Sequence, residues 1–223
     1  MEENKFAGKL FFTLITDRSL CRRPFFTTVE LALKGGVKTV QLREKGLTTA
    51  ELYALAGELR RMTLDFKANL IINDRVDIAL AVNADGIHLG WQSLPCKIVR
   101  GLFDSEKLIG VSAHSLHDAL VAQENGADYI TFSPIFTTSS KSGLLEPVGP
   151  DAIRDLKSEI TIPVIALGGI NERNAEMVLM RGADGVAVIS DIILADNPED
   201  AAKSLYNKIT TCKGKMKISV QLN

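Results

Sequence analysis

The chain has 223 residues, with 26 Lys and Arg against 27 Asp and Glu and a formal net charge of −1. Hydrophobic residues make up 46% and charged residues 24%, a length and balance that suit one soluble domain with a substantial core. Without a basic excess, the composition offers nothing for a nucleic acid or an anionic membrane to hold.

The first run, LFFTLIT (10–16), reads as a strand, and the acidic stretch before it lacks the long apolar region of a secretory signal. KTVQLR (38–43) reads as a second strand, followed by a helix pattern over 48–66. NLIIN (69–73), GIHL (86–89) and LIGVS (108–112) continue the strands, with a helix pattern over 115–127. YITFS (129–133), PVIAL (163–167) and GVAVIS (185–190) complete them, with a further helix pattern over 171–183. These strands are rich in Val, Ile, Leu and Phe without clean alternation, as expected when both faces are buried. The tail KGKMKISVQLN (213–223) carries lysines and then alternating apolar residues. It is assigned no function: its alternation leaves open pairing with a neighbour, as in a homo-oligomer, or a simply mobile tail. No apolar run reaches the roughly 18 residues of a membrane span. Cys21, Cys96 and Cys212 are scattered, which argues against a disulfide framework or zinc site and for a reducing cytoplasm.

A weak internal repeat organises these elements. GVKTVQL from Gly36, NADGIHL from Asn83, GADYITF from Gly126 and GADGVAV from Gly182 align without gaps, each launching an even-numbered strand. The leading Gly or Asn suits a helix C-cap at positive φ. Eight strand–helix units predict a single-domain (β/α)8 TIM barrel over about residues 9–212. An open doubly wound sheet is the alternative, but no GxGxxG follows the first strand.

Active sites of such barrels lie at the C-terminal ends of the strands, and polar residues collect there. Gln41, Arg43, Glu44 and Lys45 follow strand 2, with Asn73 and Asp74 at the end of strand 3. Asn73 or Asp74 is expected to cap the next helix. Ser112 and His114 end strand 5, and Ile189 and Ser190 end strand 8. Gly168 and Gly169 end strand 7, where absent Cβ atoms allow close backbone approach to a ligand. The run SPIFTTSSKSG (133–143) is either a solvated linker or an anion-holding loop. Arg43, Lys45 and Lys141 at one mouth, with Asp74 as a hard oxygen donor, suggest a diphosphate–Mg2+ site beside a monophosphate pocket. His88 is expected inside the barrel in a packed role, and His117 on a helix surface. His114 is placed for proton transfer or for packing, and Trp91 for stacking on a substrate ring or plugging the barrel mouth.

QLREK (41–45), INDRVDIAL (72–80), DGIHLG (85–90), GVSAHS (110–115), SPIFTTSSK (133–141), IPVIALGGI (162–170) and GADGVAVIS (182–190) together resemble the thiamine-phosphate synthase family. That resemblance implies coupling of a hydroxymethylpyrimidine diphosphate to a thiazole phosphate, with release of diphosphate. It also implies small-molecule substrates, no nucleic-acid or membrane partner, and Mg2+ as cofactor. Carried over by motif, Gln41, Arg43, Lys45, Asn73, Ser112 and Lys141 hold the pyrimidine diphosphate. Glu44 stands with the substrate-binding group. Thr138, Ser139, Ser140, Gly169, Ile189 and Ser190 hold the thiazole phosphate, and Asp74 is a metal ligand. Ser93 occupies the position of the second metal ligand, where the family usually has Asp, and Trp91 stands where Gln is usual. Thr137 replaces a common Pro. These departures leave tautomerisation by the sister thiazole tautomerases as the alternative, although the acid–base histidine of that family is replaced here by Pro134, and a non-catalytic phosphate-binding barrel stands beside it.

Overall fold

The structure, a computed structural model, describes residues 11–138 and 146–221. Eight parallel strands close into a barrel in chain order. They are β1 (Phe12–Ile15), β2 (Thr39–Leu42), β3 (Asn69–Asn73), β4 (Gly86–Leu89), β5 (Leu108–Ala113), β6 (Tyr129–Phe132), β7 (Val164–Leu167) and β8 (Gly185–Val188). The helices between and after them are α1 (Phe25–Lys34), α2 (Thr49–Asp65), α3 (Val76–Ala81), α4 (Cys96–Arg100), α5 (Leu116–Glu124), α6 (Asp151–Glu159), α7 (Ala175–Met180) and α8 (Ser190–Ile193). The last helix, α9 (Pro198–Gln221), packs against α1 and α7. The (β/α)8 expectation is met.

The lack of alternation in the strands has a direct cause. Ile15, Ile71, Leu108, Tyr129, Ile165 and Ala187 fill the barrel interior. Their neighbours Leu14, Leu70, Ile72, Ile109, Ile130, Val164 and Val186 pack outward in the layer shared with the helices. Successive side chains point to opposite faces and both faces are buried, so both must be apolar. Local signals set the helix starts. At α2, Thr48 accepts from the Glu51 N–H while the Glu51 carboxylate accepts from the Thr48 N–H, a reciprocal cap that contributes about 1 kcal/mol.

The repeat has a structural meaning. Gly36, Asn83, Gly126 and Gly182 all take positive φ, at 109°, 49°, 86° and 101°. The residue after next is an aspartate in three copies, and each does the same work. Asp85, Asp128 and Asp184 accept from the N–H groups of Leu70 (2.8 Å), Ile109 (2.7 Å) and Val164 (2.8 Å). Each also pairs with a cation from a helix, Arg60, Arg100 and Lys157 respectively. These carboxylates tie the base of an even strand to the preceding odd one. In the fourth copy Lys38 stands instead, with its ammonium 5.5 Å from the Tyr206 ring centroid on α9.

Two boundaries differ from expectation. The tail from residue 213 is not set apart from the last helix, because α9 continues through it to Gln221. Lys213 fixes it there, donating to the Asp184 carbonyl at 2.5 Å and lying 5.4 Å from the Phe11 ring centroid. The pattern over 171–183 becomes helical only from Ala175, after a turn in which Asn174 Oδ1 accepts from the Asn171 N–H (2.9 Å). All three cysteines are free, and among the described residues no helix is long and apolar enough to cross a membrane.

Candidate functional site

Strand register delivers one polar chain to the barrel mouth. Leu70 and Ile72 face the helices, so Asn73 turns inward, and the same alternation turns Gln41 and His88 inward. Gln41, only 3% exposed, donates from Nε2 to Asn73 Oδ1 at 2.9 Å. Asn73 donates from Nδ2 to Asp74 Oδ2 at 2.6 Å. Asp74 has φ 61°, a left-handed conformation that Asp tolerates better than most residues. Its N–H reaches the His88 carbonyl at 2.9 Å, and its carboxylate turns toward the loop after β4. There Oδ1 accepts from the Gly90 N–H at 3.1 Å and from the Ser93 hydroxyl. Gly90 N–H also lies 2.8 Å from Ser93 Oγ.

That geometry overturns the capping expectation. Arg75 occupies the cap position of α3 without a side-chain cap bond, because the positive φ at Asp74 sends its carboxylate across to β4. The two residues assigned to the metal, Asp74 and Ser93, are brought into direct contact by the same turn. Trp91, on this loop, is 89% exposed, so it does not plug the mouth.

The segment after β2 is set by a clamp that sequence reading missed. Glu44, expected among the substrate-binding residues, directs its carboxylate to the loop after β1 in this structure. It accepts from Thr16 Oγ1 (3.0 Å), the Arg18 N–H (3.2 Å) and Arg18 Nε (3.3 Å). Burial pushes its carboxyl above the ordinary range, while Thr16 and Arg18 pull it down. Thr16 Oγ1 also accepts from the Arg43 N–H at 3.0 Å. Arg43 is therefore held by its backbone at the rim, with Lys45 exposed beyond it.

His88 is packed inside, as expected. Its Nε2 lies 3.0 Å from Ser112 Oγ and 3.3 Å from Thr131 Oγ1, and its Nδ1 lies 3.3 Å from the Tyr129 hydroxyl. Burial pushes the Tyr129 phenol up, keeping it neutral. His117 is exposed on α5. His114, just past β5, directs Nδ1 to the Ser133 carbonyl at 2.5 Å, and its N–H donates to Asp118 Oδ2 at 2.9 Å.

A second concavity lies at the ends of β6, β7 and β8, with about 440 Å³ of empty space open to solvent. Thr138, Gly168, Gly169, Ile189 and Ser190 line it with Ser133 and Pro134. The glycine pair is sterically required. Gly168 has φ 99° and Gly169 φ 64°. A Cβ on Gly168 would meet Pro134 Cα at 2.7 Å, and one on Gly169 would meet the Thr137 carbonyl at 2.7 Å. Pressed together, the two loops share bonds from the Ile135 N–H to the Leu167 carbonyl (2.9 Å) and from the Phe136 N–H to the Gly168 carbonyl (3.0 Å). Ser190 opens α8 with Ile189 at its cap, so its N–H belongs to the first turn, which has no intrahelical acceptor.

The mouth thus gathers Gln41, Asn73, Asp74 and Ser93 on one chain of contacts. Thr138, Gly169, Ile189 and Ser190 form one cleft, and Ser112 joins His88 inside the barrel. Ser139, Ser140 and Lys141 lie outside the described residues. The clamp of Thr16 and Arg18 and the wall residue Pro134 were not singled out as such; their signal was position alone, at or just past strand ends.

Fold and site together define a (β/α)8-barrel enzyme whose polar groups meet at the C-terminal ends of its strands. A family model described as thiamine monophosphate synthase matches residues 12–192. The chain belongs to that family. It is 43% identical over 195 residues to a thiamine-phosphate synthase of Clostridium novyi, covering 87% of this chain and 96% of the relative. It is 44% identical over 195 residues to the thiamine-phosphate synthase of Clostridium acetobutylicum, covering 87% of this chain and 92% of the relative. Among solved structures, a thiamine phosphate pyrophosphorylase from Pyrococcus furiosus matches with TM-score 0.86 and 36% identity, over 93% of this chain and 99% of that one.

Proposed function

We propose that this barrel joins a hydroxymethylpyrimidine diphosphate to a thiazole phosphate, giving thiamine phosphate and diphosphate. The observation that carries this reading is two separate polar sites on one rim: the Gln41–Asn73–Asp74–Ser93 chain and the cleft at Gly169 and Ser190. A coupling reaction needs both. The relatives named as synthases support the same conclusion.

In this reading Gln41 and Asn73 orient the pyrimidine diphosphate at the rim. Arg43, Lys45 and Lys141 balance the negative charge that grows as diphosphate leaves, and Ser112 supplies a hydroxyl alongside them. The aminopyrimidine donates electrons into its methylene, so the carbon–oxygen bond breaks before the thiazole nitrogen attacks. No general base is required. The protein's work is electrostatic stabilisation and alignment of the two rings. Thr138, Ser139, Ser140, Gly169, Ile189 and Ser190 hold the thiazole phosphate so that its ring nitrogen faces the methylene. Glu44 contributes by fixing the Arg43 backbone through Thr16.

The donors at Asp74 and Ser93 fit Mg2+: one carboxylate and one hydroxyl, both hard oxygens. Among the described residues no cluster of three or more His, Cys, Asp or Glu could hold a metal. Asp74 and Ser93 would hold the ion with two oxygens only, a sparse protein set of the kind that suits Mg2+. When bound, Mg2+ would neutralise charge on the diphosphate. The reducing, cytoplasmic setting expected from the cysteines belongs to the same proposal, and so does the restriction to small-molecule substrates.

Incubation with both phosphorylated rings and Mg2+, following thiamine phosphate and diphosphate, tests the reading. Product dependent on both substrates supports it. Aromatisation of the thiazole without coupling, or binding without turnover, overturns it.

A further inference from the structure

We propose that His114 is a positioning residue for the cleft at Gly169 and Ser190, acting through the Ser133 carbonyl. The inference deepens the functional reading and rests on taking that cleft as the thiazole phosphate site.

The contact fixes a proton. A carbonyl oxygen only accepts, so His114 Nδ1, 2.5 Å from the Ser133 carbonyl, must carry hydrogen. Neutral imidazole in this tautomer and imidazolium both do so, and the bond survives either state. Ser133 is 1% exposed, and its N–H reaches the Ala113 carbonyl at 3.2 Å. The Ser133 backbone is thus held on both its N–H and its carbonyl by two consecutive residues, Ala113 and His114.

What Ser133 carries is the wall of the cleft. Ser133 and Pro134 line it directly. The next two residues bond to the Leu167 and Gly168 carbonyls, and Pro134 lies where any Cβ on Gly168 would be. The strip 133–136 therefore spans from His114 to the glycine turn after β7. If the His114 end is released, the strip can shift against Gly168 and Gly169, and the spacing of donors around a phosphate shifts with it. His114 is itself pinned by its N–H bond to Asp118, which Ser115 also positions by accepting from the Asp118 N–H (3.1 Å).

The predictions separate this role from proton transfer. Where binding must re-order the released strip at a cost comparable to one such hydrogen bond, affinity falls roughly tenfold. His114→Phe is therefore expected to raise KM for thiazole phosphate about tenfold, leaving KM for the pyrimidine diphosphate and kcat within about twofold. Asn places its Nδ2 near the position of the imidazole Nδ1, so His114→Asn restores the thiazole phosphate KM. Gln places its donor near Nε2 and does not. The pH limbs of kcat/KM stay the same in wild type and variants. A normal KM in His114→Phe overturns the proposal. So does a loss in kcat that Asn fails to rescue, or the disappearance of a pH limb, since both belong to an acid–base group. Should His114→Phe fail to fold, the Asn and Gln variants make the same comparison.

Calorimetric titration with thiazole phosphate alone distinguishes the two readings. If wild type forms no thiamine phosphate but His114→Phe weakens thiazole phosphate binding and Asn restores it, the coupling reading fails and the positioning role stands. If coupling proceeds and the variants bind alike, the positioning role fails.

Discussion

Ser93→Asp inserts a second carboxylate beside Asp74, with opposite consequences in the absence and presence of a cation. Ser93 Oγ now donates to Asp74 Oδ1 and stands near the Gly90 N–H. The variant loses that hydroxyl donor and puts two negative charges within about 4 Å. At that separation Coulomb repulsion is about 1 kcal/mol in bulk water and about 4 kcal/mol at an effective dielectric near 20. Asp74 is exposed and Ser93 half-buried, so a value toward the low end applies, about 1–2 kcal/mol. The lost hydrogen bond adds about 1 kcal/mol. For a chain of this size the sum lowers Tm by roughly 4–12 °C when divalent cations are chelated. Mg2+ reverses the sign, because the extra charge now faces a cation. The Mg2+ concentration for half-maximal coupling is expected to fall roughly tenfold, the equivalent of about 1.4 kcal/mol. Thermal unfolding in chelator and across a Mg2+ titration measures the first effect, and initial rates against Mg2+ the second. A variant as stable as wild type in chelator, with an unchanged Mg2+ requirement, would refute the assignment of Asp74 and Ser93 to one metal position.

Asp128→Ala removes the acceptor of the Ile109 N–H and the partner of Arg100. Both side chains are about a quarter exposed, at 27% and 23%, so the loss is expected near 2 kcal/mol after allowing for solvent screening. Differential scanning calorimetry should find Tm lower by roughly 4–8 °C, and no change would dissolve the role given to the repeat aspartates. Asp191, beside Ser190, has its carboxyl raised by burial first and by the Glu172 carboxylate second. A raised acid favours the folded state while protonated, so its cost is absent below the unfolded pKa and grows as pH climbs through the raised one. Asp191→Asn is thus expected to raise Tm at neutral pH, with the gain fading below about pH 4; a gain that does not vary with pH would remove this account. Trp91 is the one tryptophan of the chain and is 89% exposed. If it stacks on the pyrimidine, its fluorescence shifts to the blue when the pyrimidine diphosphate and Mg2+ are added. Emission that stays that of a wet indole returns it to the solvent.

The barrel was readable because its signals are local and repeated. Strands buried on both faces must be apolar throughout, and the inner Ile71 between the outer Leu70 and Ile72 illustrates why. The positive φ at Gly36, Asn83, Gly126 and Gly182 follows from chain reversal after a helix, which sequence spacing records. The glycine pair after β7 was legible for the same reason. Its φ values and the missing room for Cβ are properties that only glycine supplies.

What sequence could not settle was the choice among partners for a rim carboxylate. Asp74 could cap the next helix or reach across to another loop, and both options look alike in INDRVDIAL. The outcome depends on Gly90 and Ser93 arriving from β4 with a hydrogen-bond donor each. Glu44 poses the same problem. Beside Arg43 and Lys45 it looked like part of a substrate site, yet Thr16 and Arg18 from the β1 loop take up its carboxylate. In both cases the competing partner lies one strand away and far along the chain, at a distance set by barrel closure. A carboxylate at a strand end therefore announces only that it will be satisfied. The closed sheet decides whether a ligand or a neighbouring loop does so, and here it turns Glu44 to the protein and leaves the Asp74–Ser93 pair at the mouth.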